Sequence, residues 1–183
     1  MRANEGMHPA AQNRAAGDAP AVRTTTMRKL YFDIDGTVLV LDTGVPKAAM
    51  ANGGFEIAVR RAGFDEIICV GNFVAVIRTV WTMKPEYDGA GAIFALCGGA
   101  FQDEVWFRSS VRFVEDPKSR AAEIDLMADW WYVDDEAERY FTNVDRVDAL
   151  HEHVGKRVCI PSSRGNGADI LEWLKHSARN DAF

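Results

Sequence analysis

Two aspartates stand two positions apart, Asp33 and Asp35, at the end of the apolar run Leu30-Tyr-Phe32, and Gly36 and Thr37 follow them. Carboxylates this close repel each other when both are ionised, and a nearby cation relieves the repulsion. A second acidic pair, Asp134-Asp135, ends another apolar run, Trp130-Trp-Tyr-Val133. Magnesium prefers oxygen ligands, keeps several waters and binds through one or two carboxylates plus phosphate. Asp33, Asp35, Asp134 and Asp135 therefore read as the ligands of a Mg2+ site. Asp135 also suits a helix cap, which leaves Asp134 as the better direct ligand. Beside the cation, Asp33 can attack phosphorus and form an aspartyl-phosphate. Asp35 can protonate the leaving oxygen and then activate the hydrolytic water. Lys118, at a helix start, can neutralise the phosphoryl oxygens. The backbone amides after Asp33, loosened by Gly36 and running into Thr37, can cradle the phosphate.

These residues need elements that bring them to one place. Lys29 to Asp33 reads as a strand buried on both faces. Val38 to Leu41 and Lys47 to Met50 flank a Gly- and Pro-containing turn and read as a hairpin. A helix is expected over Phe55 to Ala62, with Gly63 as its stop. The second strand is expected over Glu66 to Val70, followed by Asn72. Helices are expected over Phe73 to Met83 and Ala90 to Leu96, and a third strand within Trp106 to Val114. Asp116-Pro117 opens a helix running to Met127. The fourth strand is Trp130 to Val133, a helical stretch runs to about His153, the fifth strand is Arg157 to Ile160, and Ala168 to His176 is the last helix. This alternation predicts a mostly parallel sheet covered by helices. In such sheets ligands bind at the carboxyl ends of the strands, where Asp33, Asn72 and Asp134 fall.

Composition sets the bounds. The chain has 183 residues, 48% of them hydrophobic and 26% charged, which suits one globular domain. A net charge of −6 argues against a nucleic-acid partner, which needs a basic surface. Three scattered cysteines, Cys69, Cys97 and Cys159, argue against a disulfide framework and for a reducing, cytoplasmic setting. No stretch approaches the about 18 apolar residues of a membrane helix. Residues 1–26 are expected to form a disordered tail, with Met27 as a candidate start and 27–183 as the folded domain.

The segment Asp33-Ile-Asp-Gly-Thr-Val-Leu39, preceded by Leu30-Tyr-Phe32, resembles the first motif of the haloacid dehalogenase-like (HAD) hydrolase superfamily. The resemblance implies Asp33 as nucleophile, Asp35 as the acid/base of a phosphatase, Lys118 or Arg120 as the third-motif cation and Asp134-Asp135 as the acidic fourth motif. It implies a Rossmann-like three-layer α/β/α sandwich with a mostly parallel five-stranded sheet. The sequence departs at the second motif, where Asn72 stands in place of Ser or Thr; its NH2 group can still donate to a phosphoryl oxygen. The stretches between Asp33 and Asn72 and between Asn72 and Lys118 leave no room for a large cap domain, so a small hairpin flap near Asp42 to Lys47 is the expected lid. The implied activity is magnesium-dependent phosphoric monoester hydrolysis, on a small or macromolecular phosphorylated substrate. The alternative is a catalytically weak or inactive module that binds magnesium and a phosphorylated ligand. A homo-oligomer fits an open site of this kind, since a partner subunit could close it.

Overall fold

The computed structural model describes residues 26–41, 46–71, 89–115, 119–142 and 147–177. The expected tail, the expected helix over Phe73 to Met83, and the candidates Asn72 and Lys118 lie outside these residues. Strand β1 is Arg28–Phe32, β2 Leu39–Val40, β3 Lys47–Ala48, β4 Glu66–Gly71, β5 Val111–Glu115, β6 Asp129–Val133 and β7 Val158–Cys159. The helices are α1 Gly54–Ala62, α2 Gly89–Leu96, α3 Glu104–Ser110, α4 Ala137–Phe141, α5 Val147–His151 and α6 Gly167–Ser177, with a 3₁₀ turn at Arg120–Glu123.

Five strands form one parallel sheet in the order β5-β4-β1-β6-β7. The chain starts at the centre, builds outward through β4 and β5, then crosses back to add β6 and β7. The central strands carry apolar side chains on both faces, as a parallel sheet covered by helices requires. Leu30 and Phe32 join Phe55 and Val59 of α1, Phe107 of α3 and Ile170 and Leu174 of α6 in one core. Tyr31, Ile68 and Tyr132 face the other way, into a second core with Ala121, Ile124, Phe141 and Leu150. These two cores make the three layers of the α/β/α sandwich. β2 and β3 pair antiparallel as the expected small hairpin. Among the described residues there is no cap domain: the hairpin and α1 fill the space between β1 and β4.

One strand falls late in its expected range and one helix differs from expectation. Residues Trp106–Ser110 are helical, and the third sheet strand begins only at Val111. Asp103 explains the change, because its carboxylate accepts from Trp106 N–H at 3.0 Å and caps α3. The helix expected up to Met127 is the short 3₁₀ turn instead. Asp125 accepts from Met127 N–H at 3.0 Å, a local bond that competes with helix continuation.

Candidate active site

In sheet register Phe32 lies beside Val133, so the next residues, Asp33 and Asp134, leave adjacent strands together. This is where the strand order reverses, the usual ligand crevice of an open parallel sheet. Asp33 N–H donates to the Val133 carbonyl at 3.0 Å, and Asp134 N–H to the Cys159 carbonyl at 3.2 Å. Both aspartates are buried, with Asp33 2% and Asp134 0% exposed. Asp33, Asp134 and Asp135 each offer a carboxylate oxygen, and these oxygens lie within 4.8 Å of one another.

Among the described residues, Arg120 supplies the cation beside Asp33 and Asp134. Its Nη1 is 2.8 Å from Asp33 Oδ2 and 3.1 Å from Asp134 Oδ2. The ring of Tyr140 lies against the guanidinium at 4.5 Å, and the neighbouring Ser119 hydroxyl donates to the Tyr140 carbonyl at 2.9 Å. The 3₁₀ turn is thereby fastened to α4, with Arg120 aimed at the carboxylates. Arg120, the reserve candidate of the sequence, thus stands at the site; Lys118 lies outside the described residues.

The two members of the acidic pair differ in what they have left to offer. Asp134 Oδ1 accepts from Glu136 N–H at 2.8 Å, and its Oδ2 accepts from the Tyr132 hydroxyl at 2.6 Å and from Arg120. Asp135 Oδ1 is buried with no hydrogen-bond partner among the described residues. Asp33 Oδ2 also lacks one, because its close contact with Arg120 is a charge contact without hydrogen-bond alignment. The Asp135 oxygen, buried without a partner among the described residues, costs about 1–3 kcal/mol. The two buried carboxylate oxygens without a hydrogen bond belong to Asp33 and Asp135, while the expected ligand Asp134 is the third member of the same cluster. Asp134 orients Arg120 and the turn that follows.

Electrostatics agree with an under-compensated centre. Burial, and then Asp134, push the Asp33 carboxyl well above the usual carboxylate range, against the pull of Arg120. Burial also raises Asp134, opposed by Arg120 and Tyr132. Asp135 is pushed up to about 6, first by burial and then by Asp134. Burial lowers the proton affinity of Arg120, but Asp33 and Asp134 outweigh it and drive it upward. Three crowded carboxylates with two open oxygens form a hard, oxygen-only donor set that fits a divalent cation such as Mg2+.

Asp35 stands outside the cluster, as a correction to its expected place among the metal ligands. The turn swings its carboxylate to the lip, where the side chain is 38% exposed. There Oδ1 accepts from Leu41 N–H at 3.2 Å and Oδ2 lies 2.8 Å from Arg164 Nη2. Gly36 has φ of 85°, and a Cβ on it would overlap the Asp135 carboxylate. Two of the amides expected in the phosphate cradle are spent within the turn. Gly36 N–H donates to the Leu39 carbonyl at 2.6 Å and Thr37 N–H to that of Ile34 at 3.3 Å, so the turn itself consumes both. The Thr37 hydroxyl is buried with no partner among the described residues. Arg164 also reaches this edge of the site, and its one signal in the sequence is its position just after the fifth strand.

Fold and site together define a doubly wound α/β domain with an acidic centre at its topological switch point. Compared with family models, curated proteins and solved structures, the chain matches none of them.

Proposed function

We propose that this chain is a magnesium-dependent phosphoric monoester hydrolase of the HAD-like type, with Asp33 as its nucleophile. The observation that carries this reading is Asp33 itself: buried at the end of the central strand, 2.8 Å from a guanidinium and within one cluster with Asp134 and Asp135. Asp33 attacks the phosphorus of a phosphate ester, the P–O bond to the leaving group breaks, and an aspartyl-phosphate remains. Asp35, at the lip and open to solvent, delivers its proton to the departing oxygen; it then takes a proton from a water that bonds to phosphorus as the P–O bond to Asp33 breaks, releasing inorganic phosphate and the free Asp33 carboxylate. Arg120 balances the negative charge that builds on the phosphoryl oxygens. Asn72, next after β4, would donate to one of those oxygens. Asp33 and Asp135 would hold the metal, which when bound lowers the charge repulsion between nucleophile and phosphate.

Among the described residues no helix is long and apolar enough to cross a membrane. Three buried free cysteines support a reducing, cytoplasmic setting. The second reading, a module that binds magnesium and a phosphorylated ligand without turnover, draws on Asn72 replacing the hydroxyl residue of the resembled family.

The test is phosphate release from an aryl phosphate and a panel of phosphorylated metabolites, with magnesium, with chelator and with Asp33→Asn. Release that needs magnesium and falls by about a thousandfold or more in Asp33→Asn is expected. Full activity in that variant would overturn the assignment. Magnesium binding with no release from any ester would favour the binding module.

A further inference from the structure

One more charged side chain reaches the acidic centre. Arg164, in the loop between β7 and α6, spans two carboxylates: Nη2 is 2.8 Å from Asp35 Oδ2 and Nε is 3.2 Å from Asp135 Oδ2. The loop that presents it is tightly built. Ser162 N–H donates to Asp169 at 2.8 Å, the Asn166 side chain to Ser162 Oγ at 2.8 Å, and Gly165 N–H to the Gly36 carbonyl at 2.6 Å. Gly165 has φ of 70°, and a Cβ there would overlap Val40, so the loop is seated on the flap strand β2. The Arg164 side chain nevertheless remains 43% exposed, at the lip beside Asp35.

Charge and geometry give the consequence. Arg164 engages Asp135 through Oδ2, while Oδ1 of the same carboxylate is open. A divalent cation on Oδ1 would share that carboxylate with the guanidinium, and two positive charges a few ångströms apart destabilise one another. A phosphoryl group arriving at the same place reverses the balance, because a planar guanidinium binds phosphate oxygens in bidentate fashion. We propose that Arg164 is the substrate-anchoring residue of this site, competing with the divalent cation for Asp135 and gripping the phosphoryl group of the substrate. The inference rests on reading the site as a magnesium-dependent phosphate site.

Two titrations on the full chain test it: magnesium alone by calorimetry, and inorganic phosphate onto the magnesium-saturated protein. Arg164→Met is expected to bind magnesium about tenfold more tightly and phosphate about tenfold more weakly, the size of one charge-assisted contact. Arg164→Lys, which keeps the charge and loses the fork, is expected to match the parent for magnesium and to fall between for phosphate. Unchanged magnesium and phosphate affinities in Arg164→Met would overturn the inference alone. So would weakening of both together with a lowered melting temperature, which would reduce the contact to a loop anchor. A parent protein that binds no magnesium would overturn the phosphatase reading and the inference with it.

Discussion

Each polar residue at the centre is chosen by what its neighbours leave open. Asp134 spends its lone pairs on Tyr132, Glu136 and Arg120, whereas Asp135 keeps Oδ1 uncommitted. Gly36 is the hinge of this arrangement, since its left-handed backbone and missing Cβ make room for the Asp135 carboxylate. Gly36→Ala is therefore expected to cost about 1–3 kcal/mol of stability and to abolish the thermal stabilisation by magnesium. Denaturant unfolding and melting curves with and without magnesium check this. An unaltered magnesium response would mean that Asp135 does not need that space. Asp33 and the Asp134-Asp135 pair were legible in the sequence because each follows an apolar strand. That Arg120 reaches them was not, because a 3₁₀ turn stands where a helix was expected and sets the direction of its side chain.

At the scale of elements, the face of the sheet beside α1 depends on a buried carboxylate that stitches two helices together. Glu56 in α1 is 5% exposed, and its Oε2 accepts from the backbone N–H groups of Gln102 and Asp103 at 2.8 and 2.9 Å. Asp103 in turn caps α3, and Arg60 pairs with both acids. Glu56→Ala strands two donors in a part-buried loop and is expected to cost about 2 kcal/mol. Glu56→Gln, which retains one acceptor, should cost less. Chemical denaturation followed by tryptophan fluorescence decides, and equal stability of parent and Glu56→Ala would refute the stitch. The third strand expected within Trp106 to Val114 forms at Val111–Glu115, because the cap at Asp103 keeps the residues before it helical.

For the whole molecule, the acidic centre makes stability depend on pH in an unusual sense. Asp33, Asp134 and Asp135 are all raised in the folded chain, Asp135 to about 6, from an unfolded value near about 4. A carboxyl whose folded value is raised adds stability that is complete below the unfolded value and lost as pH climbs through the folded one. In chelator, the melting temperature is expected to fall from about pH 4 up through about pH 6, the folded value of Asp135. Saturating magnesium should reverse that fall by favouring the ionised cluster of the folded state. Scanning calorimetry across pH, with chelator and with magnesium, checks both halves. A melting temperature that rises steadily over this range in chelator would show that the carboxylates are already compensated.

The amino-acid sequence by itself determined the strand cores, the parallel α/β class, the hairpin and the positions of Asp33, Asp134 and Asp135, because apolar runs, glycine stops and acidic strand ends are local signals. Tertiary structure alone decided which oxygens stay open, that Arg120 faces Asp33, and that Asp35 and Arg164 meet at the lip. Those outcomes depend on strand register, on the reversal of strand order beside β1 and on the seating of the loop after β7. Each joins residues far apart in the chain, where no periodicity reaches.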